Sequence, residues 1–376
     1  MKNLSRIVCF ILAAVMLLSL AACGATPKED TQEPEEAATH IVTDNSGNKV
    51  EVPTEINRIA VCSPWPLPSV LSVFFDSADK IVGIPPVCMA AAKNGLLGEL
   101  YPEILGAETC FTDGTTVNME ELAKLQPDVV FYSSANPEIG QQLSEAGFAA
   151  VAISPSKWGF DCIETLNSWI ELLSEMFPDN DRAEAVKDYS TKIYDMVQER
   201  VKDIPDEEKQ DVFFLFQYSE TTLLTPTGKS FGEWWAEAIN ARNVAAEIEA
   251  DNSAPVNMEQ IYTWNPDIIF ITNFTTAGPD DLYGNSVPGY DWSGISAVQQ
   301  KQVYKMPLGS YRSYTAGADT PITLLWLAKT VYPELFTDID LVSEAKTYYA
   351  EVFGVELTDA QAESIFNPSS AAGTIS

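Results

Sequence analysis

The sequence has one histidine, His40, among its 376 residues. Catalytic triads, histidine-rich zinc sites and imidazole proton relays depend on histidine, so most of that chemistry is excluded. Positive charge is also scarce, because 22 Lys and Arg stand against 54 Asp and Glu, which gives a net charge of −32. Such a chain repels phosphates, and this argues against broad nucleic-acid binding.

Short enzyme motifs are absent as well. The sequence contains no GxxxxGK[ST] loop, no GxGxxG after a strand, no GxSxG elbow and no HExxH. The acidic pairs Glu120/Glu121 and Asp280/Asp281 are neighbours in sequence, so they give no support to a glycosidase-type carboxylate pair. No enzymatic activity is expected. The alternatives are an exported enzyme and an adhesion lipoprotein.

The N-terminus has the parts of a secretory signal. Lys2 and Arg6 form a basic start, an apolar run follows over residues 7–18, and small residues lead into Cys23. The run is short for a membrane span of about 20 residues. The ending resembles a bacterial lipobox, so residues 1–22 are predicted to be cleaved and Cys23 to carry the lipid that anchors the protein to the outer face of the cell membrane or the periplasmic side.

Four cysteines are left after Cys9 leaves with the signal and Cys23 is acylated, namely Cys62, Cys88, Cys110 and Cys162. Export permits disulfides, and complete pairing allows three connectivities. Buried free thiols are an equal alternative, because a chain of this length does not need covalent staples.

The chain contains an internal repeat. Residues 117–132 read VNMEELAKLQPDVVFY and residues 256–271 read VNMEQIYTWNPDIIFI. Each copy predicts a short helix that begins after an N-capping asparagine, Asn118 or Asn257, and then a strand covered on both faces.

The repeat predicts two lobes of similar construction. Each lobe alternates apolar strand-like runs with helical segments, which is typical of an α/β sheet. The predicted strands are 59–62, 80–84, 129–132 and 149–153 in the first lobe and 211–217, 268–272 and 302–306 in the second, which also has helix-like segments at 231–240, 320–331 and 341–353. Between the lobes, residues 179–204 have apolar positions at helical spacing. The predicted organisation is a signal peptide, an acidic tether and three folded segments: 1–22, 23–40, 41–178, 179–204 and 205–376.

Taken together these features resemble the solute-binding lipoproteins of ABC importers that handle ferric siderophores, haem and cobalamin (class III periplasmic-binding-protein-like). The resemblance lies in residues 42–74, in DKIVGI at 79–84, in both VNME…PD units, and in LWLAK…YPE at 325–334. It implies two α/β lobes, each with a mostly parallel central sheet flanked by helices. A long helix joins them, and the ligand lies in the cleft.

The resemblance also implies partners. Glu120 and Glu259, one on each lobe, would dock on arginines of a dimeric permease that works with its ATPase. The binding protein itself is expected to be a monomer with no cofactor and no resident metal.

Ligands of α/β lobes lie beyond the carboxyl ends of the strands, so the loops there supply the candidate ligand contacts. Packing in the core is the alternative for Trp65, and a structural carboxylate is the alternative partner of Arg312. Lys157 and Arg312 could pair with an anionic group. The candidates are Trp65, Phe111, Tyr132, Lys157, Trp158, Tyr218, Phe274, Tyr311, Arg312 and Tyr314.

Ligand identity is the least determined prediction. The lone His40 argues against free divalent metal and against haem held by histidine, although a tyrosine ligand such as Tyr132, Tyr218 or Tyr311 keeps haem open. A ferric siderophore or related iron complex is the first expectation, because an aromatic cleft with an arginine suits a chelate. Cobalamin, haem and an oxyanion such as molybdate are the alternatives.

Overall fold

The computed structural model of the protein describes residues 38–113 and 115–374. The predicted signal peptide 1–22 and lipidation site Cys23 lie outside the described residues. The first strand begins at Thr39, so the folded part starts before the boundary predicted at residue 41, and His40 belongs to a strand instead of the tether.

The strands are short. They are β1 (Thr39–Thr43), β2 (Lys49–Pro53), β3 (Ile59–Val61), β4 (Ile81–Gly83), β5 (Val129–Ser133), β6 (Ala150–Ile153), β7 (Asp211–Leu215), β8 (Gln217–Ser219), β9 (Thr222–Pro226), β10 (Arg242–Asn243), β11 (Ser253–Pro255), β12 (Ile268–Ile271) and β13 (Val303–Lys305).

The helices lie between these strands and after the last one. They are α1 (Leu67–Phe75), α2 (Pro86–Asn94), α3 (Leu96–Leu100), α4 (Met119–Lys124), α5 (Pro137–Glu145), α6 (Cys162–Met176), α7 (Ala183–Val201), α8 (Phe231–Ala238), α9 (Met258–Trp264), α10 (Pro279–Tyr283), α11 (Ser296–Gln299), α12 (Thr320–Val331), α13 (Leu341–Tyr348) and α14 (Asp359–Phe366).

Two four-stranded parallel sheets form the centres of the two lobes. The first has the strand order β4-β3-β5-β6 and the second has the order β10-β7-β12-β13. Strands β3, β5, β6 and β12 are buried along their whole length, as continuous apolar runs predict for strands covered by helices on both faces. The predicted two-lobe α/β fold is confirmed.

Smaller antiparallel elements complete the lobes. Strands β1 and β2 form a hairpin, and the second lobe carries an antiparallel sheet of order β11-β9-β8. The run 211–217, which the sequence predicts as one strand, is divided, because β7 ends at Leu215 and β8 begins at Gln217.

The repeated units occupy equivalent places in the two lobes. Helix α4 precedes β5 and helix α9 precedes β12, and both of these strands are inner strands of their sheets. The Asn118 side chain accepts hydrogen bonds from the backbone N–H groups of Glu120 and Glu121, and the Asn257 side chain accepts one from Gln260. The predicted asparagine caps are therefore confirmed, and they fix where each helix begins.

One apolar cluster extends from one sheet to the other. Helix α7, which lies within the predicted segment 179–204, packs against α6 on the side of the first lobe and against α12 and α8 on the side of the second. Buried side chains from all these elements form one continuous cluster. Members of that cluster are Val61, Phe131, Trp169, Ile193, Phe214, Phe270 and Leu325.

The four cysteines of the described residues are free thiols. Cys62, Cys88 and Cys162 are buried and Cys110 is exposed. Burial raises the pKa of the Cys62 thiol to about 12, so this thiol is inert at neutral pH. Within the part of the chain that the structure describes, no helix combines the length and the apolar character needed to cross a membrane.

Arg182, just before α7, ties the two lobes together. Its Nε donates to the carbonyl of Phe74 at the end of α1 (2.9 Å), and its Nη1 donates to the carbonyl of Val352 in the second lobe (3.2 Å). We expect Arg182→Met to lower the free energy of unfolding by roughly 1.5–3 kcal/mol, because hydrogen bonds from a charged donor are lost.

Denaturant unfolding measures this loss. Lys187→Met is the matched control, since its ion pair with Glu171 is long (3.8 Å) and exposed and should contribute no more than about 0.5 kcal/mol. Equal losses for the two variants would show that Arg182 does not join the lobes.

Candidate functional site

A cavity of ≈ 250 Å³ lies between the two lobes at the carboxyl ends of their strands. In the first sheet β4 lies on one side of β3 and the later strands lie on the other, so the strand order reverses between β3 and β5. In the second sheet it reverses in the same way between β7 and β12. Such switch points leave a crevice between the loops that diverge from neighbouring strands, and ligands of α/β proteins bind there.

Both lobes and the connecting helices contribute to the cavity wall. Its residues are Ser63, Pro64, Trp65, Pro66, Ser133, Asn136 and Pro155 from the first lobe, Trp169 from α6, and Phe231, Phe274, Tyr311, Thr315 and Ala316 from the second lobe.

Two buried serines stand at the switch point of the first sheet. Ser63 follows β3 and Ser133 ends β5, and the Ser63 Oγ accepts a hydrogen bond from the backbone N–H of Ser133 (2.9 Å). The Ser133 Oγ in turn accepts one from the N–H of Ala135 (3.3 Å). Each hydroxyl therefore keeps its own proton, which it can donate to a ligand in the cavity.

Aromatic rings from the two lobes meet across the cavity. Trp65 of the first lobe and Phe274 of the second have ring centroids 6.2 Å apart, and Phe274 also packs against Phe216 at 5.0 Å. Trp169 is held in place by its indole N–H, which donates to the carbonyl of Ser154 just after β6 (2.8 Å). The apolar part of the wall is therefore built from rings whose positions are fixed by packing.

Three helices begin at the cavity. Pro66 is the N-cap of α1, Asn136 is the N-cap of α5, and Phe231 is the first residue of α8. The Asn136 side chain does not cap its own helix. Helix N-termini carry partial positive charge, so together they favour a negatively charged ligand. At α1 only the dipole contributes, because the N–H groups of Leu67 and Ser69 bond to nearby carbonyls and prolines 66 and 68 have none. No wall residue is itself charged.

Three of the ten predicted ligand contacts line this cavity. They are Trp65, Phe274 and Tyr311. Burial raises the pKa of the Tyr311 phenol, and its oxygen accepts a hydrogen bond from the Arg312 Nη1 (3.1 Å). The Tyr311 oxygen is therefore engaged by Arg312 within the cavity wall.

Phe111, Tyr132 and Tyr218 do not line the cavity. Phe111 and Tyr132 belong to a separate core cluster of the first lobe. Tyr218 packs in a cluster of the second, where its oxygen accepts a hydrogen bond from the indole of Trp292 (2.9 Å). Tyr132 follows Phe131 in a strand, and since successive side chains point to opposite faces, only Phe131 points toward the central core.

Lys157 and Trp158 are held by the first lobe and do not reach the cavity wall. The Lys157 Nζ donates to the carbonyl of Asn45 in the turn between β1 and β2 (2.9 Å). It lies 5.6 Å from the Trp158 ring centre. Trp158 is half-buried against the main core. The loop after β6 therefore folds back on the hairpin, which sequence spacing does not reveal.

Arg312 and Tyr314 also face away from the cavity. The Arg312 side chain is fully buried and donates to the carbonyls of Ala372, Thr374 and Val87. The Tyr314 oxygen accepts a hydrogen bond from the N–H of Gly232 at the start of α8 (2.9 Å). The predicted ion pair between Arg312 and an anionic ligand is thus replaced by hydrogen bonds to backbone.

Several wall residues are not among the predicted contacts. Asn136 follows β5 by a few residues and could have been included by extending the predicted loop beyond Ser134. Trp169 and Phe231 lie in helices, and nothing in their local sequence distinguishes a cavity wall from a core position.

The two glutamates of the repeat occupy matching positions. Glu120 is the second residue of α4 and Glu259 is the second residue of α9, and both side chains are exposed. Glu121 pairs with Lys124 (2.6 Å), whereas the repeat has Gln260 and Thr263 at the equivalent positions. The glutamates are therefore available on the surface of each lobe. Among the described residues, no cluster of three or more His, Cys, Asp or Glu is arranged to hold a metal ion.

Comparison with known proteins identifies the relatives. The periplasmic binding protein family model matches residues 76–308. The chain is 30% identical to a periplasmic solute binding protein from Veillonella parvula, with a TM-score of 0.77 over 88% of this chain and 97% of that one. It is 26% identical over 340 residues to the molybdate-binding protein MolA of Haemophilus influenzae, covering 84% of this chain and 91% of MolA.

The structure of MolA bound to molybdate has a TM-score of 0.70 to this chain, at 25% identity, and the match covers 85% of this chain and 99% of MolA. The same two-lobe architecture and the match over most of the chain lead to one conclusion: this protein belongs to the periplasmic binding protein family, whose members are extracytoplasmic solute-binding proteins of ABC transporters.

Proposed function

We propose that this protein captures a compact oxyanion of the molybdate type in the cavity between its lobes and delivers it to the permease of an ABC importer. The observation that carries the proposal is the cavity itself, which is small, neutral in its side chains and surrounded by the N-termini of three helices. Hydroxyl and N–H donors with helix dipoles hold an anion without a countercharge in contact with it. The relative MolA is a molybdate-binding protein.

The size of the cavity favours the compact end of the expected ligand set. Drug-sized ligands occupy roughly 300–1,000 Å³, whereas this cavity measures ≈ 250 Å³. A ferric siderophore, haem or cobalamin is at least as large as a drug-sized ligand. The Tyr311 oxygen is buried and accepts a hydrogen bond from Arg312, which argues against haem held by this tyrosine.

The remaining parts of the proposal concern the setting of the protein. It is a lipoprotein tethered through Cys23, it acts as a monomer, and it has no enzymatic activity of its own. Its permease is a dimer driven by an ATPase. Glu120 and Glu259 dock on basic pockets of that dimer, since two exposed carboxylates on pseudo-equivalent lobes suit a two-fold partner.

The first prediction concerns the ligand. Titration calorimetry with molybdate should show binding, and Ser63→Ala should weaken it about tenfold, because a buried hydroxyl donor is lost from the anion site. Ser144→Ala is the matched control, since its hydroxyl bonds to a helix carbonyl away from the cavity. Binding of a ferric siderophore with no response to molybdate would contradict the proposal.

The second prediction concerns docking. The double variant Glu120→Ala/Glu259→Ala should abolish uptake of labelled molybdate by cells or proteoliposomes while it leaves calorimetric affinity unchanged, because both side chains lie on the surface outside the cavity. The double variant Glu164→Ala/Glu363→Ala controls for lost negative charge, as both of its glutamates are exposed on other helices. Normal uptake by the first variant would refute the docking role.

The third prediction concerns the anchor. Cys23→Ala should move the protein from the membrane fraction to the soluble fraction and abolish incorporation of labelled fatty acid. Cys110→Ala is the control, because that exposed thiol lies in the folded part of the chain. Lipid labelling that persists in Cys23→Ala would show that Cys23 is not the modified residue.

A further inference from the structure

A fully buried arginine lies directly behind the cavity wall. The Arg312 side chain has 0% exposure, and its guanidinium carbon lies 5.0 Å from the ring centre of Phe274 and 5.5 Å from that of Tyr311. Phe274 and Tyr311 both line the cavity, and Arg312 does not. A single layer of side chains therefore separates a positive charge from the ligand space.

Within the described part of the chain, every hydrogen-bond acceptor of Arg312 is neutral. Its Nε and Nη2 donate to the carbonyl of Ala372 (3.1 and 2.8 Å), and Nη2 also donates to that of Thr374 (3.0 Å). Nη1 donates to the carbonyl of Val87 (3.2 Å) and to the Tyr311 oxygen (3.1 Å). Among the residues that the structure describes, Arg312 forms no ion pair with a carboxylate.

A buried charge without a counterion is costly to maintain. Desolvation of an ion is strongly unfavourable, and carbonyl dipoles compensate only part of that cost. Guanidinium stays protonated in proteins, so Arg312 cannot lower the cost by losing its proton. An anion in the cavity would complete the compensation, and this makes the anion part of the charge balance of the fold.

A second buried cation lies behind the same loop. The Lys305 Nζ donates to the carbonyls of Thr272, Thr275 and Ala277, at 2.6–2.9 Å, and the loop that these residues form carries Phe274. Burial lowers the pKa of Lys305 to about 7, opposed by Asp281 and reinforced by Arg312. Lys305 thus holds only part of its charge at neutral pH, and Arg312 is the permanent charge.

We propose that Arg312 determines charge specificity: its guanidinium, which pairs with no carboxylate among the described residues, selects doubly charged over singly charged oxyanions without touching them. The inference rests on the proposed oxyanion site and adds to it the residue that makes affinity depend on the charge of the ligand. The hydroxyls and helix N-termini at the wall fix shape and position, whereas the field of Arg312 acts through a layer of apolar rings of low dielectric constant. That attraction scales with ligand charge, so a dianion gains about twice as much as a monoanion.

Molybdate and perrhenate test this inference, because both are tetrahedral oxyanions, one doubly and one singly charged. Calorimetry would measure the affinity of each for the wild-type protein, Arg312→Gln and Arg312→Lys. We expect Arg312→Gln to lose roughly tenfold more affinity for molybdate than for perrhenate, and Arg312→Lys to keep most of the wild-type ratio. A loss of packing alone would weaken both anions equally.

A second variant keeps Arg312 and adds an opposite charge near it. Thr374 is exposed and its carbonyl lies 3.0 Å from the Arg312 Nη2, so Thr374→Asp adds a negative charge close to this guanidinium. It should lower the molybdate-to-perrhenate ratio in the same direction, even if Arg312→Gln does not fold. Thr374→Asn is its neutral control.

The outcomes separate the two claims. Equal losses for molybdate and perrhenate in Arg312→Gln, or an unchanged ratio in Thr374→Asp, would overturn the role of Arg312 while the oxyanion site stands. A wild-type protein that binds neither anion would overturn the oxyanion site itself, and the charge selection with it.

Discussion

The apolar core that joins the two sheets is the constraint on which the cavity depends. Side chains of β3, β5, β7 and β12 meet those of α6, α7 and α12 in one cluster, so neither lobe has a core of its own on the side of the cleft. Separation of the lobes would expose this surface to water at a cost of about 25 cal/mol per Å². The cleft is therefore largely preformed, and its width is set by packing instead of by hinge closure.

Given that fixed spacing, the duplicated unit determines where the ligand groups lie. In each lobe a capped helix is followed by an inner strand, and that strand ends at the switch point of its sheet. Ser63 and Ser133 stand at one switch point, and Phe274 stands near the other. The protein carries a net charge of −32, yet no side chain of its cavity wall is charged and the guanidinium of Arg312 lies directly behind that wall, so local structure opposes the long-range repulsion of an anion.

The fold could be predicted from the sequence, whereas most residues of the cavity wall could not. Apolar runs predicted β3, β5, β6 and β12, and helix α12 has the bounds that its sequence suggested, because burial on both faces leaves a continuous pattern. The contacts of Arg312 join it to Ala372 and Val87, 60 and 225 residues away. Local pattern carries no information on such distant pairs, and it cannot tell which aromatic ring after a strand turns into the cleft.

Anomalous diffraction from crystals of the protein soaked with tungstate tests the central claim most directly, because tungsten locates the anion independently of any change in affinity. The account predicts one strong peak between Ser63 and Phe274, within hydrogen-bond distance of the Ser63 and Ser133 hydroxyls. An empty cavity with tungsten bound elsewhere, or no bound tungsten in a protein that binds a large chelate, would contradict it.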